Sequence, residues 1–260
     1  MLTKKAPYYE PIGKEIEIFQ MAAENSLPLL LKGPTGSGKS RFLEFMAHLM
    51  GRRLITILCN DETSSVDLVG RFLVKGADTI WMDGPLTTGV KEGAIVYLDE
   101  IAEARPDTLV TIHSLTDHRR TLFLERKNEE IIAHPDFLLV ASYNPGYQRG
   151  FKELKPSTKQ RFLGMDFPYP KPSVEEKIIV GETGIGEPIA KKLVQFAGLV
   201  RNKQELGLAE TVSTRLLVSC AKLITKGLPS RLAGRTAIIL PLSDDVDTVA
   251  ALQDSFDLIF

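Results

Sequence analysis

One octapeptide restricts the possible folds of this 260-residue chain more than any other feature. Its sequence, Gly33-Pro34-Thr35-Gly36-Ser37-Gly38-Lys39-Ser40, fits the pattern G-x-x-x-x-G-K-[S/T]. That pattern indicates a phosphate-binding loop when it joins a β-strand to a helix. An apolar run over residues 27–31 precedes the loop. After the loop, apolar residues recur at the spacing of one helical face: Phe42, Phe45, Met46, Leu49 and Met50. The sequence therefore predicts an α/β fold with a nucleotide-binding loop.

The residue types in this loop suit the binding of a phosphate. Glycines let backbone N–H groups point inward without a Cβ in the way, and the helix N-terminus adds about half a positive charge. Lys39 is predicted to reach the terminal phosphates, and the hydroxyl of Ser40 is predicted to ligate Mg²⁺. A plain glycine turn is the alternative, which the strand–loop–helix context disfavours.

Two carboxylates follow the apolar run at residues 94–98. A Mg²⁺–nucleotide site needs an acid at the end of a neighbouring strand, and Asp99 fits that position, with a water between it and Mg²⁺. Glu100, one residue later, is predicted to polarise the water that attacks the γ-phosphate. Two exposed acids that merely close a strand are the alternative interpretation.

The remaining pattern predicts two domains. Continuous apolar runs at 54–58, 94–98 and 137–141 are typical of strands that are covered on both faces, as in a parallel sheet. Three prolines within Pro168–Pro172 then interrupt the chain, and a helix capped by Ser173 and Glu176 is predicted to follow. Further helical patterns lie near 188–202, 213–226, 229–240 and 245–258. We predict an α/β core over residues 1–170 and an all-α domain over residues 171–260.

Composition and charge exclude several function classes. The formal net charge of -1 gives no reason to expect binding to nucleic acid. No apolar run approaches the roughly 20 residues that span a bilayer, so no membrane contact is expected. Cys59 and Cys220 are the only cysteines, which excludes a disulfide scaffold and favours a reducing, cytoplasmic location.

Other nucleotide enzymes fit the sequence less well. A GTPase requires a glycine three residues after the strand carboxylate, and Ala102 stands there instead. The segment Asn202-Lys203-Gln204-Glu205 only half resembles a guanine-recognition motif. A small-molecule kinase shares the phosphate loop but has no need of a double acid or a helical second domain.

The order of the parts resembles the AAA+ ATPases, which implies ATP and Mg²⁺ as ligands. In that resemblance Asn144 is sensor 1 and orients the attacking water beside Glu100. Arg161 matches the arginine finger that reaches the γ-phosphate of a neighbouring subunit. Arg215 corresponds to sensor 2, on the first turn of a helix in a helical lid. Ile12-Gly13 resembles the segment that packs against adenine.

Two further segments narrow the resemblance to the MoxR branch. Residues 72–92 interrupt the helix expected between the second and third strands, and residues 120–132 predict an exposed β-hairpin before the sensor 1 strand. Three sequence segments are similar to those of the CbbQ/NorQ subfamily: Leu31–Lys39, Thr116–Arg120 and Ser142–Gln148. The resemblance covers nearly the whole chain.

This resemblance implies a homo-hexameric ring that works with a partner carrying a von Willebrand factor A domain, of the CbbO type. The implied target is Rubisco, from which the motor releases inhibitory sugar phosphates. The NorQ alternative is maturation of nitric oxide reductase, and the catalytic residues do not separate the two. A nucleotide-dependent switch with little turnover is the alternative from another function class, and a DNA-acting protein such as a helicase loader is a third, more distant one.

One apolar cluster interrupts the otherwise polar insertion at residues 72–92. Trp81, the only tryptophan, lies between Ile80 and Met82. Exposed aromatic clusters mark contact sites, so Trp81 is a candidate contact for a partner or substrate. The alternative, that Trp81 anchors the insertion to its own core, is equally compatible with the sequence.

Overall fold

The computed structural model describes residues 6–145, 154–202, 208 and 210–260. Of the segments singled out above, positions 146–148 and 203–205 lie outside the described residues. The chain forms two compact units. Lys14–Gly33 and Lys39–Phe167 make up most of the first, whereas the second contains Tyr8–Gly13, Pro34–Gly38 and Pro168–Phe260.

A five-stranded sheet lies at the centre of the first unit. The strands of the described chain are β1 Leu29–Lys32, β2 Leu54–Leu58, β3 Gly70–Lys75, β4 Asp78–Asp83, β5 Ile95–Asp99, β6 Thr121–Leu124, β7 Glu129–Ile132, β8 Leu138–Tyr143 and β9 Leu163–Asp166. The central sheet has the order β2-β5-β8-β1-β9, and every neighbouring pair in it is parallel. The predicted parallel α/β fold is thus confirmed.

The prediction that the apolar strands are covered on both faces is correct for the central strands and wrong for β2. Every residue of β8 is buried, as are the first four of β5. In β2, by contrast, no residue is fully buried, and Leu58 is 66% exposed. The reason is position: β2 is an edge strand and has only β5 beside it.

Six helices of the described chain surround this sheet. They are α1 Glu15–Glu24, α2 Lys39–Leu49, α3 Ser65–Val69, α4 Pro85–Glu92, α5 Pro106–Ile112 and α6 Pro156–Lys159. The α2 helix buries Phe42, Leu43 and Met46, whereas Leu49, a predicted member of the buried face, is 50% exposed. The buried face is therefore rotated toward Leu43, where Phe42 packs edge-on against Phe19.

Two antiparallel hairpins interrupt the first unit. The hairpin predicted at residues 120–132 is present as β6 and β7. The predicted insertion at 72–92 is partly different: only β3 and β4 form a hairpin, and residues 85–92 are the helix α4. Trp81 is half-buried, packs against the core of the first unit, and donates its indole N–H to Asp83 at 2.6 Å. These contacts support the anchoring interpretation of Trp81.

The second unit is helical. Its helices are α7 Pro172–Thr183, α8 Glu187–Asn202, α9 Thr214–Thr225, α10 Ser230–Gly234, which continues as a π-helical turn over Arg235–Ile239, and α11 Val246–Asp257. Their apolar faces form a separate core around Phe196 and Phe256, whose rings meet edge-on at 4.9 Å. Across the described residues, every helix is too short or too polar to span a bilayer.

The predicted capping box at Ser173 and Glu176 is wrong. The helix α7 begins at Pro172, and Lys171, which precedes it, makes no side-chain capping bond. The important acid is instead Glu175, which is fully buried. Its two oxygens each accept a 2.8 Å hydrogen bond from the guanidinium of Arg201, and one also accepts a 2.6 Å bond from the Thr214 hydroxyl.

We expect Glu175→Ala to destabilise the helical unit by about 3–5 kcal/mol, because it leaves the Arg201 guanidinium largely buried without its partner. Denaturant unfolding of the full chain, followed by helical circular dichroism, measures this loss. The matched control is Glu176→Ala, one residue along the same helix, which is expected to change stability by no more than about 0.5 kcal/mol. Equal effects of the two substitutions would contradict the structural role of Glu175.

Candidate nucleotide-binding site

The carboxyl ends of three central strands meet at one edge of the sheet. The parallel register aligns Lys32 of β1 with Tyr143 of β8, and Leu98 of β5 with Ala141 of β8. The residues that follow these strands therefore come together. In open α/β sheets, ligands bind at this edge, beyond the strand ends.

The glycines of the loop over residues 33–40 are required by close approach and by backbone angle. A Cβ on Gly33 would lie 2.1 Å from the carbonyl oxygen of Phe167. Gly36 has φ +70° and a Cβ there would lie 2.7 Å from the Cβ of Ser213, while Gly38 has φ +104°. Positive φ favours glycine, so no other residue type adopts this loop without strain.

Three features of the loop fit a phosphate. The helix α2 begins at Lys39, directly after the loop, so its unpaired N–H groups and its partial positive charge lie at the loop. The Lys39 side chain is buried, and its ammonium supplies a full positive charge. The hydroxyl of Ser37 is also buried and has no hydrogen-bond partner within the described chain. A buried polar atom without a partner is rare and indicates a ligand or a water.

A chain of hydrogen bonds joins three of the predicted site residues. The ammonium of Lys39 donates to the carbonyl oxygen of Gly33 at 2.8 Å and to Oδ1 of Asn144 at 2.8 Å. The amide nitrogen of Asn144 in turn donates to Oε1 of Glu100 at 2.9 Å. Lys39, Asn144 and Glu100 thus form one continuous line across the strand ends.

Glu100 has an unusual backbone and an unusual carboxyl group. Its φ of +55° lies in the left-handed region, where a non-glycine residue is strained. Burial raises the pKa of its carboxyl above the ordinary value, and the adjacent charge of Asp99 adds to the rise. The ammonium of Lys39 acts in the opposite direction. Such a group takes up a proton more readily than an exposed glutamate, which is a property of general bases.

Asp99 is held by two hydroxyl groups that the sequence interpretation missed. The Tyr97 hydroxyl lies 2.5 Å and the Ser142 hydroxyl 2.7 Å from Oδ1 of Asp99. The signal is present in the sequence, since Tyr97 and Ser142 are polar residues inside otherwise apolar strands. A buried polar group in such a strand requires a partner at the site.

The two predicted arginines occupy different surroundings. Arg215 lies in the first turn of α9, as predicted, and a Cβ on Gly36 would be 3.2 Å from the Cβ of Arg215. Arg161 follows α6 and forms an ion pair with Asp117 at 3.8 Å. Within the described residues, that pair does not join Arg161 to the line of Lys39, Asn144 and Glu100.

The loop has further contacts in the helical unit that the sequence did not predict. The Thr35 hydroxyl donates to a carboxylate oxygen of Glu210 at 3.1 Å, and the Tyr169 hydroxyl donates to the Thr35 carbonyl oxygen at 3.2 Å. The Tyr169 ring lies 4.2 Å from the guanidinium of Arg201. Ile12-Gly13, predicted to pack against adenine, belongs to the segment Tyr8–Gly13 of the same unit.

Comparison with known proteins identifies relatives over the whole chain. Residues 28–162 match the family described as AAA domain (dynein-related subfamily), and residues 175–259 match the family described as CbbQ/NirQ/NorQ C-terminal. Protein CbbQ of Hydrogenophilus thermoluteolus is 52% identical and covers 100% of this chain and 97% of its own length. Protein NorQ of Paracoccus denitrificans is 50% identical, over 98% of this chain and 94% of its own length.

Solved structures agree with the fold. A point mutant of RuvB from Thermotoga maritima superposes with a TM-score of 0.56 and covers 97% of this chain and 72% of its own. Its sequence identity to this chain is 15%, so the likeness concerns the fold alone.

Proposed function

Because the chain belongs to the CbbQ/NirQ/NorQ family of AAA+ ATPases, we propose that it is a ring-forming motor that uses ATP hydrolysis to remodel a protein complex. Residues 1–170 are the nucleotide-binding core in this proposal, and residues 171–260 are the lid. The observation that carries it is the hydrogen-bonded line of Lys39, Asn144 and Glu100 at the strand ends.

The loop over residues 33–40 binds the phosphates of ATP. Backbone N–H groups and the buried hydroxyl of Ser37 surround the phosphates, and Lys39 neutralises charge on the terminal ones. The donor set for Mg²⁺ is the hydroxyl of Ser40 and, through a water, the carboxylate of Asp99, and hard oxygen ligands of this kind suit that ion. Mg²⁺, when bound, neutralises charge that develops on the phosphates.

Glu100 acts as the general base for the attacking water. Asn144 orients that water beside Glu100, because its amide already lies between the carboxylate and the Lys39 ammonium. The water attacks the γ-phosphate, its proton passes to Glu100, and the products are ADP and phosphate. Positioning and electrostatic stabilisation contribute most of the rate in such a transfer.

Arg161 and Arg215 complete the site. Arg161 acts as a finger on the γ-phosphate of the neighbouring subunit, a contribution worth about 10³–10⁵ in rate in other nucleotide hydrolases. Its ion pair with Asp117 is long, at 3.8 Å, and partly exposed, so giving it up costs little. Arg215 contacts the nucleotide from the lid, next to Gly36 of the loop.

The ring is a homo-hexamer that works with a CbbO-type partner carrying a von Willebrand factor A domain, and the target is Rubisco. In this proposal the motor releases inhibitory sugar phosphates from Rubisco. A NorQ-type role in maturation of nitric oxide reductase is the second candidate, because the identities to the CbbQ and NorQ relatives are nearly equal.

We expect Glu100→Gln to lower ATP turnover by about 10²–10⁴-fold without loss of ATP binding, because the amide cannot accept the proton of the water. In the parent protein, turnover is expected to fall as pH decreases through the raised pKa of Glu100, since the protonated carboxyl is no longer a base. A pH profile of kcat at saturating ATP measures this acid limb.

The matched control for that profile is Glu103→Gln. The charge of Glu103 contributes to the raised pKa of Glu100, so its removal should preserve turnover and move the acid limb to lower pH. Turnover by Glu100→Gln at the parental rate would exclude Glu100 as the base.

Mixing of two inactive variants tests the shared site. Glu100→Gln lacks the base and keeps the finger, whereas Arg161→Ala lacks the finger and keeps the base. In mixed rings formed from equal amounts, about a quarter of the interfaces combine an intact base with an intact finger, so about a quarter of the parental rate is expected. A mixture as inactive as its components would show that Arg161 does not act across the interface.

The target is tested with Rubisco that has been inhibited by a tight-binding sugar phosphate. We expect carboxylation activity to recover when the chain, its von Willebrand factor A partner and ATP are all present. Glu100→Gln should give no recovery, because it binds ATP without turning it over. Absence of recovery with the parent, together with loss of active nitric oxide reductase from cells lacking this chain, would replace Rubisco with the second candidate.

A further inference from the structure

Tyr97 is a buried polar side chain in an otherwise apolar part of the central sheet. It lies in β5, between β2 and β8, two residues before Asp99, and its side chain is fully buried. The neighbouring residues of the strand, Val96 and Leu98, are aliphatic and equally buried. A phenol in this position has lost its hydration and must be compensated by hydrogen bonds.

Within the described chain, the Tyr97 hydroxyl makes its hydrogen bonds to residues at the proposed Mg²⁺ site. It lies 2.5 Å from Oδ1 of Asp99 and 2.9 Å from the hydroxyl of Ser142. The Ser142 hydroxyl lies 2.7 Å from the same carboxylate oxygen and accepts the backbone N–H of Glu100 at 3.3 Å.

The number of protons fixes the direction of these bonds. A carboxylate only accepts, so Tyr97 and Ser142 each donate their single hydroxyl proton to Asp99.

This direction matters for a metal ion. A carboxylate that accepts a hydrogen bond from a metal-bound water must keep one oxygen free for that water. Both hydrogen bonds to Asp99 from the described residues end on Oδ1, which leaves the lone pairs of Oδ2 for a water on the metal. Hydrogen-bond partners of this kind orient metal ligands in many proteins.

We propose that the Tyr97 hydroxyl is a positioning group for Mg²⁺: it donates its proton to Oδ1 of Asp99 and so holds the carboxylate that binds the metal through a water. The carboxylate of Asp99 is thereby oriented before the metal arrives. Ser142 assists by donating a second proton to Asp99 and by holding the backbone of Glu100. The inference rests on the proposed ATP–Mg²⁺ site and adds Tyr97 and Ser142 to it.

The test is equilibrium binding of ATP with Mg²⁺ present and with Mg²⁺ removed by a chelator. In the parent, Mg²⁺ should tighten the binding of ATP. In Tyr97→Phe, we expect affinity for metal-free ATP to be unchanged and the gain from Mg²⁺ to shrink by about tenfold or more. A substitution that only loosens the sheet would weaken both affinities alike and would overturn the proposal.

Tyr143→Phe is the matched control, because it removes the same hydroxyl from a mostly buried tyrosine of the adjacent strand β8. It should retain the full gain from Mg²⁺. Ser142→Ala provides a second variant should Tyr97→Phe fail to fold, and it should also reduce the gain. Folded variants with the parental gain would refute the role of Tyr97, whereas a parent that does not bind ATP would refute the proposed function itself.

Discussion

The site depends on one amide side chain, that of Asn144, which lies between the buried ammonium of Lys39 and the carboxylate of Glu100 and is hydrogen-bonded to both. Lys39 is almost fully buried, and a buried charge must be paired or hydrogen-bonded. The amide of Asn144 has the polarity that this requires, with its oxygen toward Lys39 and its N–H toward Glu100. An aspartate at position 144 would repel Glu100, and a leucine would remove the hydrogen bond that the amide makes with each charged group. The charges on either side therefore dictate an amide.

The parallel sheet makes this line possible. Residues after β1, β5 and β8 meet only because those strands are adjacent and in parallel register, although Lys39 and Asn144 are 105 positions apart in sequence. This arrangement strains the backbone at Glu100, which is held in the left-handed region. Burial of the central strands on both faces provides the stability that maintains such a conformation.

The parts that the sequence predicted are those encoded by short patterns. The loop over residues 33–40 and the acids after β5 were found because their residue types and spacing are specific. The exposed edge of β2, the rotated face of α2 and the burial of Glu175 were missed because each depends on which elements become neighbours. Tyr97 was missed for the same reason: its partner Ser142, on the neighbouring strand, is close only in the folded sheet.

The same chemistry explains why the site does not reveal the target. In the proposed mechanism Lys39, Glu100 and Asn144 act on ATP in the same way whatever work its hydrolysis drives, so specificity for a target lies on other surfaces. The hairpin of β3 and β4 is such a surface. Trp81 of this hairpin makes contacts within the chain. The apolar side chains of Phe72, Ile80 and Met82, which lie on the two faces of the hairpin, are each more than 40% exposed. If this hairpin distinguishes one partner from another, it does so through these three side chains rather than through Trp81.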